Sequence, residues 1–548
     1  MTRHKGAKLK LLLAMVRPRH TVARVCVLLL FVQLALAAPK DKQKDAKRGN
    51  ESKTLSSRIE KMLTQPDVAR GFWGVEAVDL ATGETLYTTN ADKLFTPASN
   101  TKLFTTSAAL ALIGPEYRFR TTVETTGSVD KYGRLNGDVV VVGRGDPNLS
   151  GRTLPYNLHT ERTSSPVRVL EQLADQLVQR GVKFVDGDVV GDDSYFAFER
   201  YGEGWAQDDM TREWGAPVSA LTINDNVLFV NVLPGDRSGE KAFINISPFA
   251  DYYRLDNRIM TTPAGTGPRS VTIGREPGSN TLTLWGNMPV DDPGFHESLA
   301  IEDPAEFTAQ LFRNLLERRG IVVYGRARAK HLELANLSTF SVTASAPAGG
   351  GDIPRNTRPV IPGMVLADYQ SQPLMMDLRV INKVSQNLHA ELMLRLLGRE
   401  KGAAGTIEAG SEVVRGFLSQ ADIRSDEYVF FDGSGLSRQN LVTPHAIVKL
   451  LLYNHKQPWG ALFADTLPVS GIDGSLAERF RGTPAQGRVH GKTGSLGHVN
   501  SLSGYTTTLS GQRIAFSIMV NNHNLTSRVA LQTIDQIVLV LIEDSKKK

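Results

Sequence analysis

Ser99 and Lys102 stand three positions apart in PASNTKLFTTSAAL (97–110), where an apolar, helix-forming run begins. A serine hydroxyl is a weak nucleophile until a positioned base removes its proton, and a lysine is such a base only while neutral. On a helix, positions i and i+3 share a face one turn apart, so these two side chains can meet. The start of a helix also carries the positive end of its dipole, which favours an oxyanion forming there. The same spacing recurs at Ser238/Lys241 in the turn-rich PGDRSGEK and at Ser545/Lys548 in a charged tail. Neither of those opens an apolar helix. Taken alone, Ser99/Lys102 also reads as two polar residues at a helix start, because short motifs recur by chance.

Two further segments carry polar groups suited to the same chemistry. In LRVINKVSQNLHAELMLRLLG (378–398), Ser385 and Asn387 fall at a polar break between two helical stretches: a hydroxyl to relay a proton and an amide to hold a substrate. The bland alternative is a polar interruption of helix packing. In RVHGKTGSLGHVNSLSGY (488–505), Lys492 and the hydroxyls of Thr493 and Ser495 lead into a strand and suit a carboxylate, while Gly494 leaves room for a substrate backbone. Ser-x-x-Lys, Ser-x-Asn and Lys-Thr-Gly, in this order, are the signature of penicillin-binding proteins and class A β-lactamases.

FFDGSGLSRQNLVTP (430–444), LPVSGIDGSLAERF (467–480), APVSALTINDN (216–226) and TPASNTKLFTTSAAL are more specific. They resemble peptidase family S13, the D-alanyl-D-alanine carboxypeptidase/endopeptidases of the penicillin-binding protein 4 type, over roughly residues 57–542. The resemblance implies an α/β (α+β) fold: a transpeptidase/β-lactamase-like domain, an antiparallel sheet flanked by helices, carrying two inserted smaller lobes. It implies Ser99 as acylated nucleophile, Lys102 as its base, Ser385 as proton relay and Asn387 as holder of a substrate amide. The backbone N–H groups of Ser99 and Ser495 would form the oxyanion hole, with Lys492, Thr493, Gly494 and Ser495 around the terminal carboxylate. No metal or organic cofactor is implied; the partners are peptidoglycan peptides, with β-lactam antibiotics as covalent inhibitors. One departure stands in the second motif, where Gln386 replaces the familiar aspartate. A serine β-lactamase shares the acylation chemistry, but the 283 positions between Lys102 and Ser385 and the DGSGLSR run speak against it. A non-catalytic wall-binding or sensor protein would not need Ser99, Lys102, Ser385, Asn387 and Lys492 all intact.

The elements that must position these residues are legible in part. GFWGVEAVDL and ETLYTT flank Ala81-Thr82-Gly83 as two strands, and the helix from Ser99 runs to Leu112 before Gly114-Pro115 stops it. A long middle stretch mixes short strands such as GDVVVVG (137–143), NVLFVNVL (226–233) and NTLTLWG (280–286) with helical patterns at 167–181 and 304–320. Within it the acidic pair Asp192/Asp193 reads as a solvated turn or as a contact to a cationic amine on the stem peptide. NSLSGYTTT and RIAFSIMVN read as a hairpin, and 526–542 as a closing helix. The expected division is 56–116 and 360–543 for the transpeptidase-like domain, 117–345 for the inserted lobes, and 346–359 for a Pro/Gly-rich linker.

Composition sets the class. With 41% hydrophobic and 22% charged residues the chain is an ordinary globular protein of several lobes. Its net charge of +6 suggests nucleic acid only until residues 1–37 are set aside, for these hold seven Lys/Arg and no acid. The remainder has 56 basic and 57 acidic residues, which gives neither nucleic acid nor an anionic membrane a strong attraction. The basic start followed by VCVLLLFVQLALAA, with small residues at Ala35 and Ala37, has the pattern of a signal peptide (1–37). Its apolar run is shorter than the ~20 residues of a spanning helix. A charged leader (38–55) follows. The only cysteine, Cys26, lies in the apolar run. These features point to an exported, periplasmic protein with at most peripheral membrane association.

Overall fold

The computed structural model describes residues 54–334 and 363–543. The expected signal peptide, nearly all of the leader and the linker lie outside the described residues.

A five-stranded sheet joins the two ends of the chain. Its strands are β1 (Phe72–Asp79), β2 (Thr85–Thr89), β3 (Val489–Leu496), β4 (Val499–Thr507) and β5 (Arg513–Asn521), in the order β2-β1-β5-β4-β3. Every pairing is antiparallel, with Val75 opposite Ile518 and Lys492 opposite Ser503. Side chains of a strand alternate between faces, and here both faces are covered. Ile514, Phe516, Ile518 and Val520 of β5 pack with Ile534, Ile537, Val538 and Leu541 of the closing helix Ser527–Glu543. Ala515 and Met519 point the other way, into a layer of helices.

That layer is built around α1 (Thr101–Leu112), whose residues from Thr101 to Leu110 are all buried. Beside it lie α2 (Leu374–Lys383) and α3 (Asn387–Lys401). The polar break expected between two helical stretches falls at Val384-Ser385-Gln386, where Ser385 takes a left-handed φ of 62°.

The middle of the chain forms a second core. A five-stranded mixed sheet runs in the order 327–332, 189–197, 139–142, 120–125, 364–370. Its parallel neighbours are connected through the helices Arg168–Gln179 and Pro304–Arg318, the crossover that parallel pairing requires. Met364–Gln370 pairs with Arg120–Thr125, so the chain rejoins the α1 layer only at Leu374. Strands 227–233, 243–247 and 295–300 form one small sheet, and 254–262, 270–274 and 281–289 another.

Asp192 and Asp193 need a correction. Sequence reading offers a solvated turn or a contact to a substrate amine; both instead lie buried in strand Val189–Ala197. Asp192 accepts from Lys330 Nζ at 2.7 Å, and Asp193 lies 2.8 Å from His331 Nδ1 and accepts from Ser219 Oγ at 2.8 Å. Strand pairing places Lys330 opposite Asp192, so the acids are neutralised from within.

Candidate active site

The chain enters α1 through a 3-10 turn, Ala98–Asn100, with Ala98 at φ 49°. Ser99 therefore sits just before the helix, and β4 and β5 pin that turn in place. Ser501 Oγ donates to Pro97 O at 2.9 Å, Asn100 Nδ2 to Ser503 Oγ at 2.7 Å, and Thr96 N to Asn521 Oδ1 at 2.7 Å.

One helical turn on, Lys102 is fully buried. Its Nζ lies 2.9 Å from Ser99 Oγ, 2.6 Å from Asn387 Oδ1 and 2.6 Å from the carbonyl oxygen of Ser434. Burial drives its pKa down to about 7, against the opposing pull of the Asp432 and Glu391 carboxylates. The geometry also dictates a direction. A neutral lysine has two N–H bonds and one lone pair, and the two carbonyl oxygens can only accept. Once neutral, Lys102 therefore turns its lone pair toward the Ser99 hydroxyl, the arrangement a general base needs.

Lys492, also fully buried, donates to Ser385 Oγ at 2.8 Å and to Thr493 O at 2.8 Å. Burial, and then the charge of Lys102, hold it well below the usual lysine range. Asn387 opens α3, and its Nδ2 donates to Trp214 O at 2.8 Å, which leaves one N–H free for a substrate carbonyl. Thr493 Oγ1 lies 2.7 Å from Ser475 Oγ, and Ser495 Oγ accepts from Asn500 Nδ2 at 3.0 Å. Gly494 serves its own chain: a Cβ there would lie 2.7 Å from Pro97 O and 3.0 Å from Ser99 N. The missing side chain lets β3 close on the turn that carries Ser99. The structure thus gathers Ser99, Lys102, Ser385, Asn387 and Lys492 by direct bonds, and sets Thr493, Gly494 and Ser495 along the adjoining strand.

Sequence reading missed four supports. The Ser434 carbonyl comes from the DGSG loop, where Gly435 has φ 84° and a Cβ would lie 1.9 Å from Ala98 O. That loop is fixed by Glu391 Oε1, which accepts Gly433 N at 3.0 Å and Ser434 N at 2.8 Å. Trp214 and Ser475 gave no signal beyond their segments. The fourth is Gln386. Its Oε1 caps α3 by accepting Leu388 N at 2.8 Å, and its Nε2 donates to Asp225 Oδ2 at 3.1 Å. Asp225 is buried, bonded to Arg152 and Arg162 and 3.3 Å from His389 Nε2. Burial alone would raise its pKa; the two guanidinium groups outweigh that and hold it well below the carboxylate range. A carboxylate thus stands beside the second motif, carried by Asp225 and bonded to Gln386.

Comparison with known proteins gives the family and the fold. The model of the D-Ala-D-Ala carboxypeptidase 3 (S13) family matches residues 55–349 and 348–543. A D-alanyl-D-alanine carboxypeptidase of Actinomadura sp. (strain R39) is 33% identical over 536 residues, 96% of this chain and 90% of that protein. The D-alanyl-D-alanine carboxypeptidase DacB of Haemophilus influenzae is 25% identical, covering 79% and 82% of the two chains. The crystal structure of penicillin binding protein 4 from H. influenzae shares the fold, with a TM-score of 0.71 at 24% identity, over 88% of this chain and 98% of that one.

Proposed function

The chain belongs to the D-Ala-D-Ala carboxypeptidase 3 (S13) family, and we propose that it works on peptidoglycan stem peptides through an acyl-enzyme on Ser99. It is a penicillin-sensitive serine D-Ala-D-Ala carboxypeptidase. The observation that carries the assignment to Ser99 is the fully buried Lys102, 2.9 Å from its hydroxyl and with its other two partners acceptors only.

Neutral Lys102 takes the Ser99 proton as Oγ attacks the carbonyl of the penultimate D-Ala. The backbone N–H groups of Ser99 and Ser495 hold the oxyanion that forms. As the C–N bond breaks, the Ser385 hydroxyl, bonded to Lys492, relays to the leaving amine the proton that Lys102 took from Ser99, so that both hydroxyl and lysine return to their starting states. Asn387 holds a substrate amide, and Thr493 and Ser495 the terminal carboxylate. Water then cleaves the ester and frees Ser99. A D-Ala cross-link to a diamino acid is cut by the same steps, which makes the protein an endopeptidase as well. A β-lactam acylates the same serine, and its leaving nitrogen stays tethered.

The division proposed is a transpeptidase-like domain (56–116 and 360–543) around inserted lobes (117–345), supported by the sheet that pairs β1 with β5. The second part of that domain starts at Leu374 and not at 360, because Met364–Gln370 pairs into the sheet of the middle segment. The proposal also includes export to the periplasm, supported by the pattern of residues 1–37. Among the described residues no helix is long and apolar enough to cross a membrane.

The test is a time course of intact mass with benzylpenicillin. A lasting adduct on the wild-type protein that is absent from Ser99→Ala is the expected result. An adduct that persists in Ser99→Ala moves the nucleophile elsewhere, and a transient adduct with hydrolysed drug accumulating makes the protein a β-lactamase.

A further inference from the structure

The Thr493 hydroxyl has a partner to which the function described above gives no role. Ser475 Oγ lies 2.7 Å from Thr493 Oγ1. Ser475 stands in the 3-10 turn Gly474–Leu476, and the segment around it is fixed from three sides. Along the edge of β3, Gly491 N donates to Pro468 O at 3.0 Å and Val489 N to Ser470 Oγ at 3.1 Å. From the end of α2, Lys383 Nζ donates to Asp473 Oδ2 at 2.6 Å. From the middle of the chain, Asn157 O accepts Gly474 N at 3.0 Å. Gly474 itself has φ 58°, and a Cβ there would lie 2.4 Å from Lys383 O, so the turn is a place made for glycine. The Ser475 hydroxyl is held against Thr493 by the scaffold.

A threonine hydroxyl has one proton. If Thr493 gave it to Ser475, it would turn only lone pairs toward a substrate carboxylate, and the contact would repel. If Ser475 donates instead, the Thr493 proton is free for the anion, and a hydroxyl that accepts one bond donates a stronger one. We propose that Ser475 is a positioning residue, which orients the Thr493 hydroxyl as a donor and so strengthens selection for substrates that end in a free carboxylate. The inference rests on the reading of Thr493 as a contact to that carboxylate.

The experiment compares acylation by benzylpenicillin, which has the free carboxylate, with acylation by its methyl ester, which lacks it. The quantity read is the ratio of the two second-order rate constants. Ser475→Ala is expected to lower that ratio by about tenfold, the scale of one hydrogen bond to a charged group, and Ser475→Thr to restore it. Thr493→Ala is expected to lower the ratio as well. If Ser475→Ala slows both compounds by the same factor, or leaves the ratio intact while Thr493→Ala lowers it, Ser475 has no such role. If neither variant moves the ratio, Thr493 is not the carboxylate contact, and the inference falls with that reading.

Discussion

At the scale of single residues, the proposed mechanism turns on the protonation of Lys102. With its pKa near 7, the neutral form that can accept the Ser99 proton is lost as pH falls through that value. Acylation is therefore expected to slow by about tenfold per unit below pH 7 and to level off above it. A profile of the acylation rate constant for benzylpenicillin from about pH 5 to about pH 9 checks this; a rate that rose toward acid would remove Lys102 as the base. Lys102→Arg keeps the positive charge and removes the ability to deprotonate. A loss of about 10²–10⁴ in that variant is expected from the missing base. The pair was legible in the sequence because its partners are three positions apart, within reach of local helix geometry. Ser434 was not, since it joins Lys102 across 332 positions through a carbonyl, a group that every residue carries.

At the scale of elements, the fit of β3 against the turn before α1 decides whether Ser99 faces Lys492-Thr493-Gly494, the motif proposed to bind substrate. Gly494 is the contact point, and in Gly494→Ala the new methyl group would meet Ser501 Oγ at 2.3 Å as well as Pro97 O and Ser99 N. The strand and the turn must then separate. Overpacking of this kind costs about 1–3 kcal/mol. We expect urea unfolding to show that loss, and acylation to fall further than a uniform destabilisation would predict, by about tenfold. Unchanged acylation in a destabilised variant would mean that the contact holds the fold alone. The periodicities of α1, the closing helix and the hairpin β4–β5 were open to sequence reading because each is a local pattern. Strand partners are not, for nothing in GFWGVEAVDL specifies RIAFSIMVN some 440 positions on. The union of the two ends came from resemblance. The same limit explains Asp192 and Asp193: their polarity suggested a turn, and only the pairing with strand 327–332 supplies the cations that let them be buried.

At the scale of the whole molecule, the middle of the chain reaches the residues proposed for catalysis and holds part of them. Trp214 O accepts from Asn387, and Asp225 with Arg152 and Arg162 receives Gln386, the residue between Ser385 and Asn387. Asp225 is one of three successive residues with left-handed φ, from Asn224 to Asn226, a conformation kept where the surroundings over-determine it. Asn tolerates that φ, so Asp225→Asn removes the charge with little change of shape. It leaves two guanidinium groups without their anion, at a cost of about 3–5 kcal/mol for a buried pair. Gln386→Ala loses the α3 cap, worth about 1 kcal/mol. If the middle of the chain acts on catalysis through Gln386, the two substitutions report one interaction. Their effects on the free energy of acylation by benzylpenicillin should then fail to add by about 0.5–3 kcal/mol. Additivity within about 0.5 kcal/mol would show that the second motif keeps its geometry without Asp225. A coupling of the expected size would make Gln386 the point at which a segment remote in sequence sets the position of Ser385 and Asn387, and would account for an amide where related motifs carry a carboxylate.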